Sequence, residues 1–392
     1  MNALLVGDLH TDNEKSSIAN SNSFYEVFKT LTLIKETIIK YKPDYTIFFG
    51  DIFNSPRGIS TTVITIMSKL FSEMSEETSL IFIVGNHDDV DEKISRVKVG
   101  DRFLNLRSSL LAPFSYFPNV AVFDSPQVIK IDEGVEIGFI PFSNRIREDV
   151  DSIQSKFSRG VKKLLFGHFE LKDSTYMIVK DGAETVSNPS ANDLIKKYKY
   201  DMVLLGHIHD ISDYNIDEKV VKYIGSCRNV DFRNLGENKG IYLLDFKTLD
   251  MEFIENEHTC IYKIFKNLED FKEYCTNSSP EKLSRTKIRY IYTNSNEVKE
   301  ISKIKDSFKS LQFQKNLIGI DSTSDNASTA KAIEEFENLV HGDLVTKENL
   351  IDYAISFKEP INKDHSLNTL DLILKSNSKW GEIIYERKIS VF

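Results

Sequence analysis

Five short motifs place a possible metal ligand one to three residues after a glycine. They are GDLH (7–10), GDIF (50–53), GNHD (85–88), GHFE (167–170) and GHIH (206–209). Mixed carboxylate, amide and imidazole ligands suit divalent ions such as Mn²⁺, Fe²⁺ or Zn²⁺. Two such ions about 3.5 to 4 Å apart bind phosphate oxygens and lower the pKa of water. The set of motifs therefore predicts a dinuclear centre that hydrolyses phosphate esters.

Each glycine follows a short apolar run, such as ALLV, TIFF, LIFIV, KLLF or MVLL. Runs of this kind without polar alternation are typical of strands that are covered on both faces, as in layered α/β folds. The ends of neighbouring strands in such folds meet at one edge of the sheet. The paired ligands in GDLH and GHIH are two residues apart, so they lie on the same side of an extended segment. We expect all five motifs to meet in one pocket.

We allocate the candidate side chains to two ions. The ligands predicted for the first ion are Asp8, His10 and His209, and those for the second are Asn86, His168 and His207. Asp51 follows its own strand, and because a carboxylate is the best bridging group we expect it to bind both ions. His87 is left over beside Asn86. It is placed to protonate the departing alkoxide as general acid or to stabilise the charged transition state.

Each motif also has an ordinary structural interpretation. A lone Asp-x-His or Gly-His is more often a turn or a hydrogen-bonded histidine than a ligand, and Asn-His-Asp is commonly a loop. Paired histidines after a strand, as in GHIH, have few structural uses. The ordered set of five motifs is far more specific than any one of them.

The composition excludes several classes of protein. A net charge of −9 argues against an autonomous, strongly basic DNA-coating protein, but it does not exclude a nuclease. The longest apolar runs have the length of strands, far short of the roughly 20 residues that span a bilayer. The three cysteines have neither metal-ligand spacing nor the density of a disulfide scaffold. The sequence thus predicts an α/β protein of a reducing cytoplasm, without a membrane segment.

The ordered motifs resemble the calcineurin-like metallophosphoesterase superfamily, whose fold is a two-sheet β-sandwich flanked by helices. Two further segments, FIPFSNR (139–145) and YIGSCRNVDFRNLGENKGIYLLDF (223–246), resemble SbcD-type DNA repair nucleases, including the corresponding components of phage recombination endonucleases. In that subfamily a Gly-Ser and a later Lys-Gly follow the G-H-x-H motif. The matching residues here are Gly225, Ser226, Lys239 and Gly240.

This resemblance implies three parts: a nuclease domain over 1–255, a small α/β capping domain that contacts DNA over 256–321, and a linker with a helical partner-binding segment over 322–392. Within the second part, residues 286–320 have the pattern of a strand, a helix and a final strand at LIGI, 317–320. In the third, residues 346–358 have an apolar helical face. That face would dock either on its own domain or, by the resemblance, on the coiled-coil base of an SbcC-type ABC ATPase.

The activity implied by the resemblance is 3′ to 5′ exonuclease cleavage of duplex ends together with endonuclease cleavage of single strands or hairpins. The expected metal is Mn²⁺, with Mg²⁺ or Fe²⁺ as alternatives, and the expected assembly is a homodimer that acts on DNA with its ATPase partner. One position departs from the family pattern. Many such nucleases have a histidine three residues after the second-motif aspartate, where this chain has Asn54.

Asparagine cannot act as an acid or base, although it can position phosphate or water. Nearby Arg57, on a Ser-Pro turn, is a candidate DNA phosphate contact, and the ordinary interpretation is a solvated loop arginine.

Two other functions stay open. A protein phosphatase or cyclic-nucleotide phosphodiesterase would share the metals, but protein phosphatases have Asp-Arg-Gly after the second motif and Gly-Asn-His-Glu at the third, whereas this chain has GDIFNSPRG and GNHDD. A non-catalytic scaffold on the same fold is the other alternative. Retention of all seven candidate ligands and His87 argues against a scaffold, and metal content would distinguish the two.

Overall fold

The computed structural model describes residues 1–12, 23–55, 59–89, 95–99, 102–106, 109–174, 188–230, 232, 238–292, 301 and 312–317. Arg57 and the predicted partner-binding segment 322–392 lie outside these residues. Within the described part of the chain, no helix combines the length and the apolar composition that crossing a membrane requires.

Two six-stranded sheets form the larger part of the molecule. The first contains, in spatial order, β14 (Met251–Glu255), β13 (Gly240–Asp245), β1 (Asn2–Val6), β2 (Tyr45–Phe48), β3 (Ser79–Ile83) and β6 (Val120–Phe123). The second contains β11 (Ser212–Ile216), β12 (Lys219–Tyr223), β10 (Met202–Gly206), β9 (Lys162–His168), β8 (Val135–Ile140) and β7 (Gln127–Asp132). The strands that carry the motifs are central and parallel: β1, β2 and β3 in the first sheet, and β9 and β10 in the second.

Both faces of each sheet are covered, which explains the unbroken apolar runs. Leu5 and Ile47 of the first sheet pack with Phe166 and Leu204 of the second, so this cluster is the interior of the sandwich. Leu4, next to Leu5 along β1, lies in a different cluster on the outer face of its sheet. Because successive side chains point to opposite faces, a strand in such a layer needs apolar residues at every position. The predicted sandwich is confirmed.

Helices cover the outer faces. Helix α1 (Ser23–Tyr41) and helix α2 (Thr61–Ser75) pack on the first sheet, and helix α3 (Ile146–Gln154) packs on the second. Ser60 begins α2 as an N-cap, since its side chain accepts a hydrogen bond from Val63 N at 3.2 Å. A 3₁₀ helix (Ala112–Tyr116) and a π-helix (Asp193–Lys197) lie in the connections. A two-stranded ribbon, β4 (Ser95–Val99) with β5 (Arg102–Leu106), follows the GNHD motif.

A separate small sheet follows the sandwich. It consists of three parallel strands in the order β15 (Ile261–Phe265), β16 (Thr286–Tyr292) and β17 (Gln312–Leu317), with helices α4 (Leu268–Asn277) and α5 (Pro280–Ser284) between the first two. It has its own core, in which Phe271 and Tyr290 are fully buried. We call β15 to β17 with α4 and α5 the small α/β unit.

The last described strand of this unit begins earlier than the sequence predicts, at Gln312. Of the expected strand at 317–320, Leu317 belongs to β17, and residues 318–320 lie outside the described residues. A continuous apolar run is typical of a central strand, whereas β17 lies at the edge of its sheet, where polar residues alternate with others in QFQKNL. The helix expected between β16 and β17 lies outside the described residues, except for Ile301. The predicted boundaries of the three domains stay predictions.

Candidate dinuclear metal centre

The five motifs meet where β1, β2, β3, β9 and β10 end, as the sequence predicts. Three candidate ligands have left-handed backbone conformations: His10 with φ 48°, Asp51 with φ 49° and His207 with φ 79°. Such conformations cost of order 1–3 kcal/mol in a residue other than glycine and persist where surrounding contacts enforce them, often at active sites. The turns therefore present these side chains to the site at a cost in backbone energy.

Close approach explains the glycines before two of the motifs. A Cβ atom on Gly85 would lie 2.2 Å from Asp51 Oδ1, and one on Gly50 would lie 2.4 Å from His168 Nδ1. Either side chain would collide with a candidate ligand. Gly50 also has φ 95°, a conformation that glycine adopts without strain.

Asp8, His10 and His209 form the first candidate metal position. Their ligand atoms all lie within 4.8 Å of one another, and His10 Nε2 is 2.8 Å from His209 Nε2. Two ring nitrogens at that separation cannot both carry a proton. Burial lowers the pKa of His10 well below its ordinary value, and the neighbouring histidines His209 and His87 lower it further. The neutral imidazole of His10 is the form that binds a metal ion.

Asp51, His168, His207 and Asn86 form the second candidate position. Asn86 Oδ1 is 3.0 Å from His207 Nδ1 and 3.1 Å from His168 Nε2. The other ring nitrogen of His168, Nδ1, is 2.6 Å from the carbonyl oxygen of Phe49. Donation from Nδ1 to that carbonyl leaves Nε2 as the ligand atom and fixes the ring, which is the usual arrangement around metal-binding histidines.

Asp51 lies between the two positions. Its Oδ2 is 3.6 Å from His10 Nε2 and 3.3 Å from His168 Nε2, so one oxygen faces a histidine of each group. Its Oδ1 accepts a hydrogen bond from His87 N at 2.8 Å. Burial opposes the charged form of Asp51, but His168 and His10 hold its pKa well below the ordinary value. An ionised carboxylate in this place has the geometry of a bridging ligand.

The buried charges of the site need a cation. Burial raises the pKa of Asp8 to about 7, and burial together with the charge of Asp51 raises the pKa of Asp88 to about 8. Burial by itself would lower the pKa of His168, but the carboxylates of Asp51 and Asp8 raise it to about 9. The buried carboxylates of the site thus favour a bound positive charge, and the lone pairs of the candidate ligands point toward a common space. These histidine and aspartate clusters fit a dinuclear metal site.

His87 lies beside the first position. One of its ring nitrogens lies within 4.8 Å of ligand atoms of His10 and Asp51, and its ring contacts His10 edge to face at a centroid separation of 4.9 Å. His87 Nδ1 is 2.6 Å from the carbonyl oxygen of Asn54. A ring that donates Nδ1–H to that carbonyl leaves Nε2 for other contacts, and it can donate a proton from Nε2 only in its doubly protonated form. The role of His87 as a proton donor stays a prediction.

The side chain of Asn54 points to a different neighbour. Its Nδ2 donates to Asp12 Oδ1 at 2.8 Å, while its main-chain oxygen is the one that faces His87. The structure thus brings Asn54 to the rim of the centre through its backbone. Arg57, the predicted phosphate contact, lies outside the described residues.

Sequence reasoning missed three buried charged residues around the centre. Asp88 accepts hydrogen bonds from Phe53 N and Gly85 N, and so ties the second motif to the third. Arg228 and Lys239 donate to main-chain carbonyl groups of the histidine motifs. Lys239 is one of the positions that match the SbcD-type pattern, but the pattern gave it no role. Arg228 lies in the same matching segment, 223–246, but it too had no role there, because Leu9 and His10, which it contacts at the centre, lie more than 200 residues away along the chain.

A family model for calcineurin-like phosphoesterases matches residues 1–210, more than half of the chain. The chain belongs to this family. The match ends one residue after His209, so it contains every candidate ligand described above. The predicted family is confirmed.

Three curated relatives narrow the likeness within the family. The DNA double-strand break repair protein Mre11 of Methanocaldococcus jannaschii is 26% identical over 384 residues, which cover 92% of each chain. The D subunit of the nuclease SbcCD of Staphylococcus epidermidis is 21% identical over 244 residues, or 55% of this chain and 59% of that one. The Mre11 protein of Methanococcus maripaludis is 26% identical over 267 residues, 64% and 66% of the two chains. The resemblance to SbcD-type proteins is thus confirmed at modest identity.

Proposed function

We propose that this phosphoesterase is a DNA nuclease that uses two Mn²⁺ ions, with Mg²⁺ or Fe²⁺ as alternative metals. The observation that carries the proposal is the place of Asp51 Oδ2 between His10 and His168, with His87 alongside. Two ions held there would bind phosphate oxygens and lower the pKa of a water molecule. In-line displacement at phosphorus is the chemistry that such a pair favours.

The protein's own residues orient the reaction around that pair. Asp8, His10 and His209 would hold one ion, Asn86, His168 and His207 the other, and Asp51 both. His87, held by the carbonyl group of Asn54, protonates the departing 3′ oxygen. Asn54 acts through that carbonyl by keeping the ring of His87 in place.

DNA as substrate is supported by the sequence around the metal motifs. The chain has GDIFNSPRG and GNHDD in place of the patterns of protein phosphatases. Two of its relatives are named as DNA double-strand break repair proteins and a third as a nuclease subunit. The proposed activities are 3′ to 5′ exonuclease on duplex ends and endonuclease on single strands or hairpins. The small α/β unit would contact the DNA, and Arg57 would contact a phosphate.

The proposed assembly is a homodimer with a coiled-coil ABC ATPase of the SbcC type, bound through residues 322–392. The name of the Staphylococcus epidermidis relative, which is one subunit of a larger nuclease, supports a partner of this kind. The partner would open and feed the DNA to the nuclease site, which gives the complex its place in recombination and double-strand-break repair.

Cleavage of end-labelled DNA tests the proposal. Duplex and single-stranded substrates are incubated with the full chain and Mn²⁺, Mg²⁺ or EDTA, with a phosphomonoester and a phosphopeptide as controls. We expect Mn²⁺-dependent cutting of DNA that EDTA abolishes. Turnover of either control without DNA cleavage would assign the protein to the other phosphoesterases. No turnover of any substrate, even after addition of the ATPase, would favour the scaffold, and an absence of bound metal would strengthen that conclusion.

A further inference from the structure

Two buried cations lie behind the first metal position. Arg228 is 2% exposed and Lys239 is 1% exposed. A buried charge costs several kcal/mol unless it is paired and hydrogen-bonded, so the contacts of these two side chains must offset that cost. Neither residue is a candidate metal ligand. Both contact the main chain of residues that are.

Arg228 holds the turn that carries His10. Its Nε donates to the carbonyl oxygen of Leu9 at 2.7 Å, and its Nη2 donates to that of His10 at 2.6 Å. The planar guanidinium group therefore binds two successive carbonyl groups with a rigid fork. His10 has a left-handed backbone here, with φ 48°, which is a costly conformation that the fork stabilises.

Lys239 holds the turn that carries His209. Its Nζ donates to the carbonyl oxygen of His209 at 2.6 Å, and Ser226 N donates to the same oxygen at 3.0 Å. The Nε2 atoms of His10 and His209 are 2.8 Å apart. A buried cation thus fixes the main chain behind each of the two rings that converge on the first position.

Glu26 connects this arrangement to the small α/β unit. Glu26 Oε2 is 3.3 Å from Arg228 Nη1 and 3.8 Å from Nζ of Lys287, which lies on β16. Glu26 Oε1 accepts from Cys260 N, just before β15, at 2.7 Å. Glu26 and Lys287 are 5% and 4% exposed, so little water screens this chain of charges.

We infer that Arg228 and Lys239 are positioning residues for the first metal position, and that Glu26 ties this position to the small α/β unit through Arg228. The inference rests on the proposed two-ion centre. Displacement of either cation would let the carbonyl groups of Leu9, His10 or His209 rotate, and the ring nitrogens would no longer converge. Partners that orient metal ligands typically change affinity by about 10–100-fold when they are removed.

Titration of the metal-free full chain with Mn²⁺, followed by calorimetry and electron paramagnetic resonance, tests the positioning role. We expect Arg228→Met and Lys239→Met each to lower the affinity for one of the two Mn²⁺ ions by about 10–100-fold. The affinity for the other ion should be unchanged. Arg228→Lys should recover only part of the affinity, because lysine keeps the charge but cannot form the fork. The matched control is Arg147→Met, since Arg147 also pairs with a carboxylate, Asp193, and a main-chain carbonyl, that of Asn188, elsewhere in the molecule.

The thermal unfolding midpoint in EDTA separates positioning from general stability. A variant that unfolds at lower temperature but binds both ions as wild type does, or that loses both ions equally, would overturn the positioning role. If Arg228→Met does not fold, the same criteria apply to Arg228→Lys. A wild-type chain that binds no Mn²⁺ would instead refute the proposed two-ion centre.

The link through Glu26 has a separate test. Glu26→Gln removes the charge that joins Arg228 to Lys287, and we expect weaker binding of the same ion that Arg228→Met affects, by a smaller factor. Glu136→Gln is the matched control, because Glu136, on β8 of the second sheet, is also buried, at 6% exposed. Its side chain accepts a hydrogen bond from Ser158 N. Equal Mn²⁺ binding by Glu26→Gln and wild type would overturn the link to the small α/β unit.

Discussion

His10 and His209, at the first candidate metal position, are held through their main chains, whereas His168, at the second, is held through its ring. Arg228 and Lys239 contact the carbonyl groups behind the first pair, and the carbonyl oxygen of Phe49 faces Nδ1 of His168. Phe49 directly follows β2, beside the strand ends that form the second position. That position is therefore built within the sandwich. The first also depends on residues after β12, which the small α/β unit contacts.

The two positions thus depend on different parts of the molecule. The second rests on contacts inside the close-packed sandwich. The first depends in addition on a chain of buried charges, Arg228, Glu26 and Lys287, that reaches the small α/β unit. The following expected outcomes test this contrast, beginning with the largest effect.

Asp51→Ala should disrupt both metal positions, because Asp51 Oδ2 faces a histidine of each position. We expect loss of both ions and loss of detectable DNA cleavage. Bound Mn²⁺ per chain, measured by elemental analysis after dialysis, checks this outcome. Normal occupancy by two ions would contradict the bridging assignment.

His87→Ala should keep both ions and lose cleavage. A positioned general acid typically contributes about 10²–10⁴-fold, so we expect kcat to fall by that factor. The measurement pairs single-turnover DNA cleavage with Mn²⁺ titration. Intact turnover would refute the assigned role of His87, and loss of one ion would make it a ligand of the first position.

The two positions should respond differently to pH. A metal ion displaces protons from its ligands, so affinity rises with pH until the ligands of the metal-free protein have lost them. The pKa of Asp8 is raised to about 7 and that of His168 to about 9. We expect affinity at the first position to level off near pH 7. Affinity at the second should rise, by about tenfold per pH unit for one displaced proton, up to about pH 9.

Mn²⁺ titrations between pH 6 and about 9.5 check this difference. Parallel curves for the two ions would contradict it. The His207→Ala variant, which disrupts the second position, serves to assign the curve that remains.

Asn54→Ala should have the smallest effect. The variant keeps the main-chain oxygen that faces His87 and loses only the hydrogen bond to Asp12, worth about 1 kcal/mol. We expect a slightly lower unfolding midpoint and nearly wild-type kcat. A fall in kcat as large as that of His87→Ala would show that the Asn54 side chain itself acts on the substrate.

The sequence by itself determined the layered fold and which residues are candidates for the metal centre. Unbroken apolar runs require strands covered on both faces, and a polar residue after each glycine marks where such a strand leaves the core. These patterns are local in the sequence, so Asp8, Asp51 and GHIH are recognisable without knowledge of their neighbours in space. The start of β17 at Gln312 was not recognised, because the alternating pattern of QFQKNL is a weaker signal than an apolar run.

Only the tertiary structure decided how the ligands are held. Arg228 and His10 lie 218 residues apart, and their contact joins a side chain to a main-chain oxygen, which every residue type possesses. Such a contact leaves no pattern in the sequence around either residue. The same holds for Asn54, which faces His87 through its backbone. Residue types and spacing therefore specify which atoms can bind metal, while the packing of distant segments fixes where those atoms point.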